Sequence, residues 1–310
     1  MAHRLAPGLA LADDDFAPVS LDMGSEKWID VDGVRTRYFD EGSGPAVVFF
    51  HGSHCGGADG SSASIWDMNF APLSKYFNVI AVDRLGQGFT DNPLTDGDYT
   101  MDASVKHAAR FLQLLGKGPY HLVGHSRGGY LVARLALEHP DLAASCNCVS
   151  SGTLSPGTVR NHIVHANLPG WDRRAALRAI YERYSCNPRI VTTALLDECE
   201  AILDLGKSQV AVRKFSEGLE AKLYFPELGR QRRETQGWLL TRGMPCPTLI
   251  SWGYRDPTAV FENGRHLIEM FMAKQRKTAV SLFNRSGHYV YREYAAQFNR
   301  RQYSFVMANS

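Results

Sequence analysis

The hexapeptide Gly124-His125-Ser126-Arg127-Gly128-Gly129 constrains this chain more than any other segment. It follows the apolar run Tyr120 to Val123 and opens a helix-like stretch from Tyr130 to Leu137, so it reads as a sharp turn from a buried strand into a helix. A serine at the apex of such a turn holds a strained backbone conformation, and side chains beside it collide with the neighbouring strand and helix. Glycines at 124 and 128 relieve that crowding. Ser126 is therefore a candidate nucleophile, presented just beyond the carboxyl end of a strand.

A serine hydroxyl is a weak nucleophile at neutral pH and needs a histidine base, itself oriented by a carboxylate. The chain supplies both in the order serine, acid, histidine. Thr248 to Trp252 reads as a buried strand running into Gly253-Tyr254-Arg255-Asp256-Pro257, which puts Asp256 in the turn after it. Ala279 to Phe283 reads as a final strand, and Asn284-Arg285-Ser286-Gly287-His288 puts His288 in the equivalent turn. In parallel sheets the loops at the carboxyl ends of several strands converge on one site. Asp256 is thus the candidate orienting acid and His288 the candidate base. Charge developing on a carbonyl oxygen also needs fixed donors. The backbone amides of Arg127, after the nucleophile, and of Ser53, in His51-Gly52-Ser53 after the apolar run Ala46 to Phe50, are the candidates.

The rest of the chain alternates strands and helices. Lys27 to Val31 and Val34 to Asp40 form a hairpin around Asp32-Gly33, and Asn78 to Val82 is another buried strand. Met101, Val105, Ala108, Leu112 and Leu115 share one face of a helix that starts after Thr100 and stops near Gly116. Cys146 to Val149 is the next strand. From 154 to 244 helical patterning takes over, with Leu177, Ile180, Tyr181 and Tyr184 on one stripe. The expected architecture is α/β: a mostly parallel sheet flanked by helices, with a helical lid inserted after the sixth core strand. Residues 1–24 form an N-terminal extension, 25–153 with 245–310 the core, and 154–244 the lid. Trp171, Tyr224, Phe225 and Trp238 in the lid suggest a hydrophobic or aromatic small-molecule substrate. The Gly- and Ser-rich loop from Gly52 to Ile65 is a second candidate wall of the pocket.

From Trp28 to Phe305 these motifs together resemble the α/β-hydrolase superfamily. Within it, His51-Gly52-Ser53 followed by Gly56-Gly57, the run Asp83-Arg84-Leu85-Gly86-Gln87-Gly88-Phe89-Thr90-Asp91, and Gly287-His288-Tyr289 leading to Gln297-Phe298-Asn299 resemble the meta-cleavage-product hydrolases. Those enzymes cut a carbon–carbon bond in dienoate products of aromatic ring cleavage. The resemblance implies an Asp256–His288–Ser126 triad without a cofactor, and a substrate pocket that includes Gly52, His125 and Tyr289. The chain departs from the group at three places. It has His125 where the group usually carries Asn, Tyr289 where it usually carries Trp, and Cys199 where an arginine that pairs with the substrate carboxylate is expected. Other arginines of the insertion, Arg160, Arg178, Arg183 and Arg189, are alternative partners for such a carboxylate. The same machinery also serves a carboxylesterase or lactonase, and the fold can serve as a non-catalytic small-molecule receptor.

Composition agrees with an enzyme-sized globular chain: 310 residues, 44% of them hydrophobic, can bury a large core. The net charge of +2 and the lack of basic runs interleaved with aromatics argue against a nucleic-acid partner. Six cysteines without paired C-x-x-C spacing suggest free thiols, and His162 with His165, lacking a third ligand, suggests no metal. The N-terminus, broken by Pro7 and followed by Asp13-Asp14-Asp15, makes a poor signal peptide despite Leu9-Ala10-Leu11-Ala12, and no run is long enough to span a membrane. A cytoplasmic protein is expected. A second copy of the chain stays open as a partner, with the extension lying across its own core or a neighbouring subunit.

Overall fold

A computed structural model of the chain describes residues 11–18, 20–160, 162–165 and 170–310, with the backbone alone for His162. The positions expected at Pro7 and Leu9-Ala10, and the His162 side chain, lie outside the described residues. The eight strands are β1 (Lys27–Val31), β2 (Val34–Glu41), β3 (Ala46–Phe50), β4 (Asn78–Val82), β5 (Tyr120–His125), β6 (Ala143–Val149), β7 (Thr248–Gly253) and β8 (Thr278–Phe283). They form one sheet in the order β1-β2-β4-β3-β5-β6-β7-β8. The β1–β2 hairpin pairs antiparallel and joins β4 antiparallel, and every pairing from β4 to β8 is parallel.

Parallel strands covered on both faces read as continuous apolar runs, and β3, β4 and β5 are buried along their whole length. Their side chains alternate between two cores. Val48 and Phe50 join Val105, Leu112, Leu131 and Trp252 on one face; Val47 and Phe49 join Trp66, Phe70, Tyr291 and Phe298 on the other.

The helices are α1 (Asp67–Ser74), α2 (Met101–Leu115), α3 (Arg127–Glu138), α4 (His162–His165), α5 (Arg173–Tyr184), α6 (Thr193–Asp204), α7 (Gly206–Lys214), α8 (Phe225–Thr241), α9 (Phe261–Met272), α10 (Val290–Glu293) and α11 (Ala295–Met307). α2 begins and ends as its sequence expects. The Thr100 side chain accepts from the Ala103 amide, and Gly116 takes a left-handed conformation whose N–H returns to the Leu112 carbonyl. Phe16, fully buried, packs its ring 5.4 Å from Tyr76 and 5.2 Å from Tyr303, so the segment before β1 lies across its own core.

Between β6 and β7 the chain leaves the sheet for α4 to α8, with a segment, Phe215–Tyr224, that kinks at Gly218 (φ 112°) and joins α7 to α8. Leu177, Ile180 and Tyr181 of α5 are buried, as their spacing predicts. A charged network also ties these helices to the core. Arg37 donates to Asp83 (2.7 Å) and to Glu198 of α6 (2.8 Å), while the Ser62 and Ser64 hydroxyls donate to the same Glu198 carboxylate. Asp83 accepts from the Ala63 and Phe89 amides as well, and a Cβ at Gly88 would lie 2.3 Å from its carboxylate. That close approach explains the glycine in the Asp83 to Asp91 motif.

Candidate active site

Ser126 sits between β5 and α3 with φ 54° and ψ −116°, the strained elbow its neighbours imply. A Cβ on Gly124 would lie 2.1 Å from the Gly128 carbonyl oxygen, and one on Gly128 would lie 2.3 Å from that of Phe50. Strand, turn and helix can therefore approach this closely only with glycine at both positions. The Ser126 amide donates to Val149 O at 2.8 Å, which pins the apex to β6.

The other candidates arrive from neighbouring strand ends. Asp256 follows β7, His288 follows β8, and His288 Nδ1 donates to Asp256 Oδ2 at 2.5 Å. Both residues are buried, at 4% and 5% exposure. The other Asp256 oxygen accepts from the Thr258 amide and hydroxyl and the Ala259 amide at 2.8 to 3.1 Å, so the carboxylate has four donors and a fixed orientation. The two loops interlock: a Cβ at Gly253 would lie 1.9 Å from Gly287 O. α5 seals the histidine loop from outside, since Tyr184 O accepts from the His288 amide and the Tyr184 ring stacks on the imidazole at 5.0 Å.

Neither the Ser53 nor the Arg127 amide donates to an acceptor among the described residues. The turn that carries Ser53 abuts the elbow, for a Cβ on Gly52 would lie 3.1 Å from Ser126 Cβ. Arg84 holds that turn. Its Nη1 donates to the carbonyls of His51, Gly52 and Ser53, each at 3.1 Å, and its own amide donates to His51 Nε2. His51 is therefore the Nδ1–H tautomer and neutral, with burial lowering its pKa to about 3. Arg84 organises this turn, and its signal in the sequence is the Asp83-Arg84 dipeptide after a buried strand.

Two cavities meet at Ser126 and His288. One, of about 390 Å³, runs beneath α8 and is lined by Arg127, Thr158, Phe225 and Arg232 among others. The second, of about 330 Å³, is bounded by the Gly52 to Ser61 loop, His125, Tyr184 and Tyr289. Gly52, His125 and Tyr289 thus come together on the second cavity. His125 is held neutral by burial and, next, by the His288 imidazole beside it. Its Nε2–H donates to the His288 carbonyl at 3.0 Å, leaving Nδ1 to accept from Tyr291 OH at 3.4 Å.

Other candidates lie away from the two cavities. Cys199 is buried against Tyr181, with Sγ 3.5 Å from that hydroxyl, and lines neither cavity. Arg160, Arg178 and Arg189 are exposed, and Arg183 donates to Val164 O beneath Trp171; none of the four lines a cavity. The arginines that do are Arg127 and Arg232. Trp171 and Trp238 pack against arginines outside the cavities, and the Tyr224 ring lies tilted 5.1 Å from His54, so of these four aromatics only Phe225 lines either cavity. The six cysteines are free thiols.

A strained serine at the end of β5, a hydrogen-bonded Asp–His pair from the last two strands, and an interposed group of helices define an α/β-hydrolase. The chain belongs to the alpha/beta hydrolase family, whose model matches residues 47–301, and it is a hydrolase enzyme. It resembles the meta-cleavage-product hydrolases in particular. It is 26% identical over 268 residues to the 2-hydroxymuconate semialdehyde hydrolase of Pseudomonas sp. (strain CF600), covering 86% of this chain and 88% of that one. It is 25% identical to the 2-hydroxy-6-oxononadienedioate/2-hydroxy-6-oxononatrienedioate hydrolase of Burkholderia vietnamiensis, over 93% and 98% of the two chains. The meta-cleavage product hydrolase from Pseudomonas fluorescens IP01 shares the fold, with a TM-score of 0.73 at 24% identity, covering 92% of this chain and 98% of its own. No helix among the described residues is long and apolar enough to cross a membrane.

Proposed function

We propose that the chain is a serine hydrolase in which Ser126, His288 and Asp256 cleave the carbon–carbon bond beside a ketone in a dienoic acid of the meta-cleavage class. The observation that carries this reading is the convergence of the strained Ser126, the His288–Asp256 pair and two unengaged amides on the same two cavities. The names of the relatives supply the substrate class.

The chemistry follows from the arrangement. The dienol first becomes its ketone. His288 then takes the hydroxyl proton as Ser126 Oγ adds to the carbonyl, and the Ser53 and Arg127 amides hold the oxyanion. Collapse breaks the carbon–carbon bond, and the carbon leaving group departs as a dienol that takes its proton from His288. His288 next deprotonates a water, which attacks the acyl-serine and releases a carboxylic acid and Ser126. Asp256 stabilises the imidazolium throughout. Residues 154–244 act as the lid that keeps bulk water from these steps.

A second reading, a carboxylesterase or lactonase, is favoured by the burial of Cys199 away from both cavities together with His125 and Tyr289 at the pocket wall. The decisive experiment compares decay of the visible absorbance of a 6-aryl-2-hydroxy-6-oxohexa-2,4-dienoate with phenol release from a neutral aryl ester. A much larger kcat/KM for the dienoate supports carbon–carbon hydrolysis. Ester cleavage with the dienoate untouched overturns it in favour of the esterase.

A further inference from the structure

Ser53 carries one of the two oxyanion amides in a backbone conformation that serine rarely holds. Its φ is 63°, in the left-handed region, where the only other non-glycine residues among those described are Asp32, Ser126 and Ser150. A serine stays left-handed where its surroundings over-determine it. Arg84 holds the carbonyls of this turn, but those contacts leave the Ser53 side chain free to swing. The side chain has its own tether. Ser53 Oγ donates to Asp59 Oδ1 at 2.7 Å, a hydrogen bond strengthened by the carboxylate charge.

The tether is itself anchored. Glycine at 57 lets the loop fold back on Ser53, since a Cβ there would lie 2.7 Å from Ser53 Oγ and 3.4 Å from Asp59 Oδ1. Just past Asp59, Gly60 is left-handed (φ 61°) and presses so closely on α6 that a Cβ would lie 2.5 Å from Cys199 O. Tyr181 OH of α5 donates to Asp59 O at 3.3 Å, and the Ser61 amide donates to Asp59 Oδ1 at 3.4 Å. Asp59 is thus fixed against the inserted helices on one side and grips the oxyanion turn on the other. Both Ser53 and Asp59 line the second cavity, beside Ser126. A carboxylate there opposes the negative charge that develops on the oxyanion, so electrostatics alone gives no reason to place one at this position. The hydrogen bond to Ser53 does.

Resting on the hydrolase reading above, we infer that Asp59 is a positioning residue: it grips the Ser53 hydroxyl and thereby keeps the Ser53 backbone amide aimed at the oxyanion. Released from Asp59, residue 53 relaxes toward negative φ, and the peptide planes on both sides of its Cα turn with it. The N–H of one of those planes is the oxyanion donor. Asp59 acts through Ser53 and needs no contact with the reacting atoms. The same grip ties the donor to α5 and α6, the helices against which Asp59 is anchored.

The test is a mutant cycle read by aryl-ester turnover. Asp59→Ala should lower kcat about 10- to 100-fold with KM changed less than about threefold, because the lost donor acts in the transition state. Asp59→Asn keeps an oxygen that accepts from the Ser53 hydroxyl, so it should hold kcat within about fivefold of wild type although the charge is gone. Ser53→Ala should lose about as much as Asp59→Ala, and the double variant no more than about twofold beyond either, since both changes break one contact. Additive losses, or Asp59→Asn as impaired as Asp59→Ala, would overturn the positioning role, and Ser53→Ala at wild-type kcat would overturn it even if Asp59→Ala failed to fold. Peptide-level hydrogen exchange needs no turnover: residues 50–57 should exchange faster in Asp59→Ala and near the wild-type rate in Asp59→Asn. Unchanged exchange in a folded Asp59→Ala protein would also overturn the grip. Ester turnover that survives Ser126→Ala would instead overturn the hydrolase reading, while the exchange measurement would still decide whether Asp59 holds the turn.

Discussion

Replacing Arg84 by Met separates catalysis from stability. The guanidinium donates to three successive carbonyls of the His51 to Ser53 turn, but a single nitrogen has two hydrogens, so the three bonds are shared. In the variant Gly52 O keeps the Gln87 side-chain donor at 3.1 Å, whereas His51 O and Ser53 O lose the donor described for them. Each orphaned carbonyl costs about 1–3 kcal/mol if it stays dry. Against this, the variant removes a buried guanidinium without a carboxylate partner, whose burial already lowers its pKa to about 10. The two effects oppose, so the expected loss of stability is about 1–3 kcal/mol. The catalytic effect has no such offset. If the turn relaxes, the Ser53 amide leaves the position of the oxyanion, and losing one such donor lowers kcat by about 100- to 1000-fold. The assay is kcat and KM on an aryl ester, with urea unfolding in parallel. A kcat within threefold of wild type, in a variant with intact elbow, would refute the claim that Arg84 positions the oxyanion turn.

Four further outcomes follow from the same contacts. Arg37→Met leaves the Asp83 carboxylate buried without its cation and should destabilise the chain by about 3–5 kcal/mol, read by urea unfolding. Gly287→Ala puts a Cβ 2.2 Å from Tyr184 O, so it should displace α5 from the histidine loop and reduce kcat at least tenfold, read by ester turnover. Burial keeps His51 and His54 at about 3 and His107 and His121 at about 4, and His125 is also well below its ordinary value. These folded-state values are depressed, so between pH 6.5 and about 4 the unfolded chain binds more protons, and stability must fall as pH drops through that window. Unfolding free energy measured against pH should show that slope, and a flat profile would contradict the buried neutral imidazoles. Asp256→Asn should lower kcat by several orders of magnitude with little change in KM, because the amide cannot stabilise the imidazolium.

The parts of the fold that local chemistry dictates were legible in the sequence. Steric crowding demands Gly124 and Gly128, so the elbow is written as a spacing, and the apolar runs of β3, β5 and β7 mark the strand ends from which Ser53, Ser126 and Asp256 project. Thr100 and Gly116 bounded α2 for the same local reason. The cavity walls were not legible, because they depend on which face of each inserted helix meets the core. Arg178 finds Glu182 one turn along its own helix, whereas Arg232, no different in sequence, turns under α8 into the cavity. Trp171 and Trp238 found arginine partners away from the site. The elbow motif points to the Arg127 backbone amide, and an arginine entering the otherwise small and apolar start of α3 is the signal for its side chain.

The central claim is that Ser126 is a nucleophile activated by His288 and Asp256. Its most direct test is reaction of the folded protein with an aryl fluorophosphonate, followed by intact mass and peptide mapping. The account predicts a single adduct on Ser126, absent in Ser126→Ala and formed at least about a hundredfold more slowly in His288→Gln. A folded protein that gains no adduct at Ser126, or a His288→Gln variant that labels at the wild-type rate, would contradict it.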